Sequence, residues 1–325
     1  MNYLEKHYEE IFKKYQKEDL IKDVTNYTNG RGNLNKVLSH FFKECIYECC
    51  GKKSNISPME FLQNEEMVNK AIEYIKSKPK FFTSTNEVSN IESYLRNSVS
   101  WVRKVANFPC KEARSIYFRY FENALTDKNN KLNCLDTSCG FGSRMSAVIL
   151  SGHNYFGIDP NVKLQNKLFE CAKFYYDNGF IDNNQICNLY TQGSEILIEE
   201  LVGIIDVAFT SPPYFNLEKY SDDECASTIN YNNYDLWVNN FVIPTVYNTY
   251  KYLKVGGYAM INIKNLNKKE PLYDSYFNAF SSIDGFEYVE TFDLNITKKQ
   301  YGLQFNNEKG EIKNQEPIMC FRKVK

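Results

Sequence analysis

Histidine is nearly missing from this chain: His7, His40 and His153 are all it has. Ten cysteines are present, and Cys45, Cys49 and Cys50 cluster. No two of them stand in the C-x-x-C spacing of a zinc site. A His/Cys metal centre is therefore not expected, and the thiols read as reduced and mostly buried. No apolar run reaches transmembrane length, and Met1-Asn2-Tyr3-Leu4-Glu5 lacks a signal-peptide pattern. A soluble cytoplasmic protein with no membrane partner is the expectation. Repeats and low-complexity linkers are also missing. The 39 basic and 40 acidic residues leave a net charge of −1, so there is no general attraction to polyanions.

What is present is unevenly placed. Between Lys70 and Arg119 ten basic residues stand against four acidic ones, a surplus of +6 that leaves the rest of the chain at −7. Such a stretch is compatible with a surface facing nucleic-acid phosphates, with Arg103 and Lys104 as candidate contacts, and equally with a solvated helical face. Apolar spacing predicts helices over 3–23, 34–50, 65–78, 90–105 and 112–125. Ser57-Pro58-Met59-Glu60 adds a capping box with proline at the first helical position. The polar turn Asp127-Lys128-Asn129-Asn130-Lys131 is the best boundary, giving an all-helical region 1–130 and a second unit 131–325.

Beyond it short apolar strands alternate with helices, which implies a mostly parallel sheet. Strands are expected at 134–136, 155–159, 189–191, 206–210 and 258–263, with helices over 144–151, 164–176, 195–201 and 234–253. An antiparallel pair at 288–294 and 318–322 closes the sheet. The first strand runs into Thr137-Ser138-Cys139-Gly140-Phe141-Gly142, where two glycines permit positive φ and close backbone approach. The second ends on Asp159-Pro160. A glycine turn after one strand and an acid after the next is the logic of a nucleoside cofactor site. Met145 stands where a dinucleotide fingerprint would carry its third glycine, which argues against NAD.

The fourth strand ends at Thr210-Ser211-Pro212-Pro213-Tyr214. Proline has no N–H and forces the preceding residue into an extended conformation. Ser211 is thus held at the carboxyl end of a buried strand, beside rigid carbonyls and an aromatic ring. A planar ring bearing an NH2 group fits such a site: hydroxyl and carbonyl accept its two N–H bonds and the tyrosine stacks on its face.

Together these residues make the chain resemble, over 132–323, the S-adenosylmethionine-dependent amino methyltransferases of DNA. The resemblance implies a Rossmann-like class I methyltransferase with a mostly parallel seven-stranded sheet. It implies cofactor contacts from Asp136, Ser138, Cys139, Gly140, Phe141 and Gly142, from Asp159 and Pro160, from Gly193 and Ser194, and from Thr210. Ser211, Pro212, Pro213 and Tyr214 would hold the target amine, and Phe215, Asn216, Lys219 and Tyr220 would lie near the substrate. The serine form is most similar to enzymes acting on the 4-amino group of cytosine. The 6-amino group of adenine, RNA and a protein glutamine stay open, as does a silent nucleic-acid-binding protein on the same fold. The string from Thr210 to Ser221 is similar to methyltransferases encoded by bacteriophages and large DNA viruses. Two departures stand out. The family's Phe-x-Gly-x-Gly is Thr-Ser-Cys-Gly-Phe-Gly here, and no separate carboxyl-terminal recognition domain is visible. Recognition would then fall to the helical region or to residues 215–233.

Overall fold

The structure, a computed structural model, describes residues 2–51, 56–77, 99, 102, 107–121, 131–215, 218–219, 231, 233–265, 269–293 and 316–325. The strands are β1 (Cys50–Gly51), β2 (Asn133–Asp136), β3 (Asn154–Ile158), β4 (Cys187–Tyr190), β5 (Ile205–Thr210), β6 (Glu218–Lys219), β7 (Leu253–Asn262), β8 (Phe286–Asp293) and β9 (Pro317–Lys323). Among the described residues seven of them form one sheet in the order β4-β3-β2-β5-β7-β9-β8. All neighbours from β4 to β7 are parallel, and β9 is antiparallel to both β7 and β8. This is the mostly parallel seven-stranded, Rossmann-like sheet expected. The carboxyl ends of β2, β3, β4, β5 and β7 therefore open on one edge, where ligands bind in such sheets.

Helices cover both faces. Before the sheet come α1 (Tyr3–Lys6), α2 (Tyr8–Ile11), α3 (Lys17–Thr28), α4 (Asn35–Glu48), α5 (Pro58–Gln63), α6 (Glu65–Lys76) and α7 (Cys110–Tyr117). Within it follow α8 (Ser143–Ile149), α9 (Val162–Asp177), α10 (Tyr234–Trp237), α11 (Ile243–Tyr252) and α12 (Leu272–Ser281). The capping box at the start of α5 is present: the Ser57 side chain accepts from the Glu60 N–H, and Glu60 accepts from the Ser57 N–H. The helix expected over 3–23 is broken into α1, α2 and the start of α3. The helix expected over 90–105 lies outside the described residues except for Val99 and Val102.

On one face a single apolar cluster joins Val24, Phe42, Phe108 and Tyr117 of the amino-terminal region to Cys134, Met145, Tyr155 and Phe209. The two sides of the 127–131 boundary thus share one core. The opposite face packs Trp237, Val246 and Tyr252 against Leu135, Ala208, Ala259 and Phe321. A satellite cluster holds α1, α2, α5 and α6 together.

The helix predicted over 112–125 stops at Tyr117, and predicted elements of the sheet unit differ as well. Residues 195–201 do not form a helix; a turn follows Ser194 and a single 3-10 turn spans Glu199–Leu201. The reason is capture of its would-be backbone bond. The Ser194 carbonyl accepts from Asn248 Nδ2 at 3.0 Å, and the Ile198 N–H donates to the Tyr252 hydroxyl at 2.9 Å. The helix predicted over 234–253 ends at Tyr252 as expected, but β7, predicted over 258–263, starts five residues earlier at Leu253. Lys323 Nζ caps the Tyr250 and Leu253 carbonyls at 2.9 Å each. A register shift between Ile205 and Val207 takes up the glycines, and Gly257 packs against the Asp206 carbonyl, where a Cβ would stand 2.9 Å away. The same helix contains a π turn, Val238–Val242. Pro244 follows it and has no N–H for an i−4 carbonyl.

Candidate active site

β2 and β5 lie side by side with Cys134 opposite Val207 and Leu135 opposite Ala208. Continuing that register sets Asp136 level with Phe209, and Thr137 and Ser138 at the start of the glycine turn level with Thr210 and Ser211. The Thr210 hydroxyl donates to Asp136 Oδ1 at 2.9 Å, so the two sequence motifs touch. Asp136 is 0% exposed. Its Oδ1 also accepts from the Ser138 N–H at 3.2 Å, and its Oδ2 accepts from Arg144 Nε at 2.6 Å and the Tyr155 hydroxyl at 3.2 Å. A carboxylate has about four lone-pair sites, and protein donors take all of them. The role this gives Asp136 is to hold the turn, where direct contact with the cofactor was expected.

Arg144 was missed by sequence reasoning. It sits in the first turn of α8, buried, and its Nη2 donates to the Ser138 carbonyl. Burial opposes its charge, but the Asp136 carboxylate outweighs that and holds the guanidinium above its ordinary value. Gly140 (φ +57°) lies against this guanidinium, with a Cβ position 3.3 Å from Nη2. Gly142 (φ +74°) would place a Cβ 2.4 Å from the ring of Phe42. Gly142 is therefore required by the helical region behind the turn as well as by its backbone conformation. The same region straps the turn a second time: Asn107 Nδ2 donates to the Phe141 carbonyl, and Asn107 Oδ1 accepts from the Ser143 hydroxyl, both at 2.9 Å. Tyr117 reaches between β2 and β5, donating to the Phe209 carbonyl at 2.9 Å and the Leu135 carbonyl at 3.3 Å.

Of the other turn residues, Cys139 and Phe141 are buried in the core. The Cys139 thiol packs on Gly157, and burial pushes it well above its usual titration range. Ser138 stays partly exposed, its hydroxyl donating to the Thr137 carbonyl at 2.8 Å. Asp159 follows β3 and is partly exposed, as is Pro160. Its Oδ1 accepts from the Asn161 N–H at 3.1 Å. Burial nevertheless pushes its carboxyl up to about 6, against the opposing backbone N–H groups of Asn161 and Gly140. Gln165 joins the ends of β3 and β4, donating to the Asp159 and Tyr190 carbonyls at 3.0 Å each.

Past β4, Ser194 is buried, its hydroxyl 2.9 Å from that of Thr245. Gly193 leaves room for the Glu195 carboxylate, which would lie 2.2 Å from a Cβ there. Glu195 Oε2 is buried with no hydrogen-bond partner, and burial raises its pKa. A carboxylate directly after Gly193-Ser194 was the signal available in the sequence.

Ser211 and Pro213 keep some exposure, and Pro212 is buried. Tyr214 is 7% exposed and belongs to the second apolar cluster. Phe215 is fixed there too, its ring centroid 5.5 Å from those of Tyr234 and Trp237, so its ring serves packing. Lys219 is described only through its backbone: β6 pairs antiparallel with β1, Lys219 opposite Cys50. Asn216, Tyr220, Arg103 and Lys104 lie outside the described residues. Of the basic stretch, Lys70 pairs with Glu66, Lys111 donates to the Gly30 carbonyl and Arg119 pairs with Glu290. Among the described residues no group of His, Cys, Asp and Glu is arranged to hold a metal ion, and no helix is long and apolar enough to cross a membrane.

No family model matches the chain, and a search of curated proteins finds no match. Many solved structures match in fold. A Burkholderia thailandensis 1,6-didemethyltoxoflavin-N1-methyltransferase with bound S-adenosylhomocysteine is 12% identical, with a TM-score of 0.40 over 66% of this chain and 78% of that one. A tRNA (m1A58) methyltransferase from Aquifex aeolicus is 13% identical, with a TM-score of 0.39 over 69% and 72%. A TehB-like methyltransferase from Corynebacterium glutamicum is 13% identical, with a TM-score of 0.40 over 79% and 99%. At such values the likeness carries no argument about function.

Proposed function

We propose that the chain transfers a methyl group from S-adenosylmethionine to an exocyclic amino group of a base in DNA, with the 4-amino group of cytosine as the first candidate. The observation that carries this reading is the 2.9 Å bond from Thr210 to Asp136. It brings the glycine turn and the Ser-Pro-Pro-Tyr stretch to one level on adjacent parallel strands. The residues around the turn suit the cofactor. Asp159 offers a partly exposed carboxylate to ribose hydroxyls, and Glu195 Oε2, buried without a partner, suits the amino group of a purine.

When bound, the cofactor supplies an electrophilic methyl on a sulfonium. The chain's task is to hold a weakly nucleophilic nitrogen in line with it. The Ser211 hydroxyl oxygen and the Pro212 carbonyl accept the two N–H bonds of the amine, which favours a tetrahedral nitrogen with its lone pair aimed away from the ring. No strong base is needed, because the proton leaves after the nitrogen has gained the methyl. His153 could not act as one: its Nδ1 accepts from the Leu132 N–H at 3.2 Å, and burial lowers its pKa to about 4. Tyr214 stacks on the base, which replaces part of its present packing; such stacking contributes about 1–3 kcal/mol. The pairing of β1 with β6 links the helical region 1–130 to the segment after Tyr214, which supports a part for that region in recognition.

The test offers labelled S-adenosylmethionine with DNA, RNA and protein in parallel, followed by digestion of the nucleic acids and nucleoside analysis. Label on N4-methylcytosine supports the reading in full. Label on N6-methyladenine moves the target base, and label on RNA or protein only overturns the DNA assignment.

A further inference from the structure

We infer that Thr210, expected from the sequence to contact the cofactor, instead spends its hydroxyl proton on Asp136 and is a positioning residue that couples the two halves of the active site through the buried Asp136–Arg144 pair. The inference rests on the proposed methyl transfer and deepens it. The geometry is that of a hub. Asp136 is anchored from the turn side by the Ser138 N–H at 3.2 Å and by Arg144 Nε at 2.6 Å. Arg144 in turn grips the Ser138 carbonyl, so the backbone on both sides of Ser138 is bound to the same pair. From the other strand a single side chain reaches the hub, and it is Thr210, the residue before Ser211. The ion pair is almost fully enclosed, with side-chain exposures of 6% for Arg144 and 0% for Asp136.

In such a medium each bond is electrostatically strong and its loss leaves an expensive unpaired group. A shift of the glycine turn when a ligand seats on it must therefore move Asp136, and Asp136 must pull on Thr210. The two prolines after Ser211 stiffen the chain there. A displacement at Thr210 therefore reaches the amine-holding atoms without being absorbed by a flexible link. Backbone pairing alone does not supply this coupling, because the β2–β5 ladder ends at Leu135 and Ala208, before either motif begins.

The experiment uses the full chain and three forms: the parent, Thr210→Val and Thr210→Ser. Valine keeps the volume and removes the hydroxyl; serine keeps the hydroxyl. S-adenosylhomocysteine affinity is measured by calorimetry. Amide exchange over 205–215 is measured with and without that ligand, and single-turnover methyl transfer is measured on DNA. The parent should show ligand-dependent protection of 205–215. Thr210→Val should bind the ligand within about threefold of the parent, lose that protection and transfer methyl about tenfold more slowly at saturating substrate, the usual effect of one lost buried hydrogen bond. Thr210→Ser should restore both. The positioning role is overturned if Thr210→Val keeps the protection and the rate, if its loss appears wholly as weaker ligand binding, or if serine fails to rescue. In those cases the methyltransferase reading stands. A parent chain that neither binds S-adenosylhomocysteine nor transfers methyl overturns that reading and the coupling with it.

Discussion

Asp159→Asn should separate the stability of this protein from its grip on the cofactor, with opposite signs for the two. An aspartate in an unfolded chain titrates at about 3.9. In the folded chain burial lifts Asp159 to about 6. Between those values the folded state binds more protons than the unfolded state, so stability falls as pH rises through the window and stays low above it. At about 1.4 kcal/mol for each pH unit, the ionised carboxylate costs about 2–3 kcal/mol at pH 7. The asparagine variant escapes that cost and can still accept from the Asn161 N–H, so its Tm at pH 7 should rise. Binding should move the other way. If the ionised form accepts the ribose hydroxyls, protonation one unit below its pKa weakens the apparent Kd about tenfold. Calorimetry with S-adenosylhomocysteine from pH 8 to pH 5 reads this directly. The parent's Kd should be flat above about 7 and rise steeply below about 6. Asp159→Asn should bind weakly throughout, with that slope gone. A parent Kd independent of pH, or a variant that binds as the parent does, would refute the reasoning.

Two further outcomes follow from packing. Gly142→Ala should destabilise the chain by about 1–3 kcal/mol, through a positive φ and a Cβ driven into the Phe42 ring. Phe42→Leu in the same chain should recover only the steric part, as read in a denaturant titration. Arg144→Met should cost about 3–5 kcal/mol by leaving Asp136 charged and buried, whereas Arg144→Met with Asp136→Asn should cost clearly less. Equal losses in the single and double variants would contradict the pair's interdependence.

Much of the sheet was legible because its signals are local. The apolar runs, the capping box at Ser57 and the double proline after Ser211 each act within a few residues, and each appears where expected. The bonds that assemble the site are long-range, and periodicity does not report them. Thr210 meets Asp136 across 74 residues, and Asn107 reaches the Phe141 carbonyl across 34. Arg144 reads in sequence as one more polar residue at a helix start; only the closed turn turns it inward. Gly142 was read as clearance for a ligand, yet its tightest neighbour is Phe42, a hundred residues earlier. The misread helix over 195–201 fails for the same reason. Asn248 and Tyr252 take its backbone partners from a helix some fifty residues away.

The central claim is that Ser211 and Tyr214 hold an exocyclic amine for methylation. The most direct measurement is nucleoside mass spectrometry of DNA incubated with the protein and isotope-labelled S-adenosylmethionine, run beside Ser211→Ala and Tyr214→Ala. Label should appear on an exocyclic nitrogen with the parent. It should fall at least about 10²-fold with either variant, the usual loss on removing one preorganised contact, while S-adenosylhomocysteine affinity stays nearly unchanged. Label on a ring carbon, or both variants methylating at the parental rate, would contradict the account.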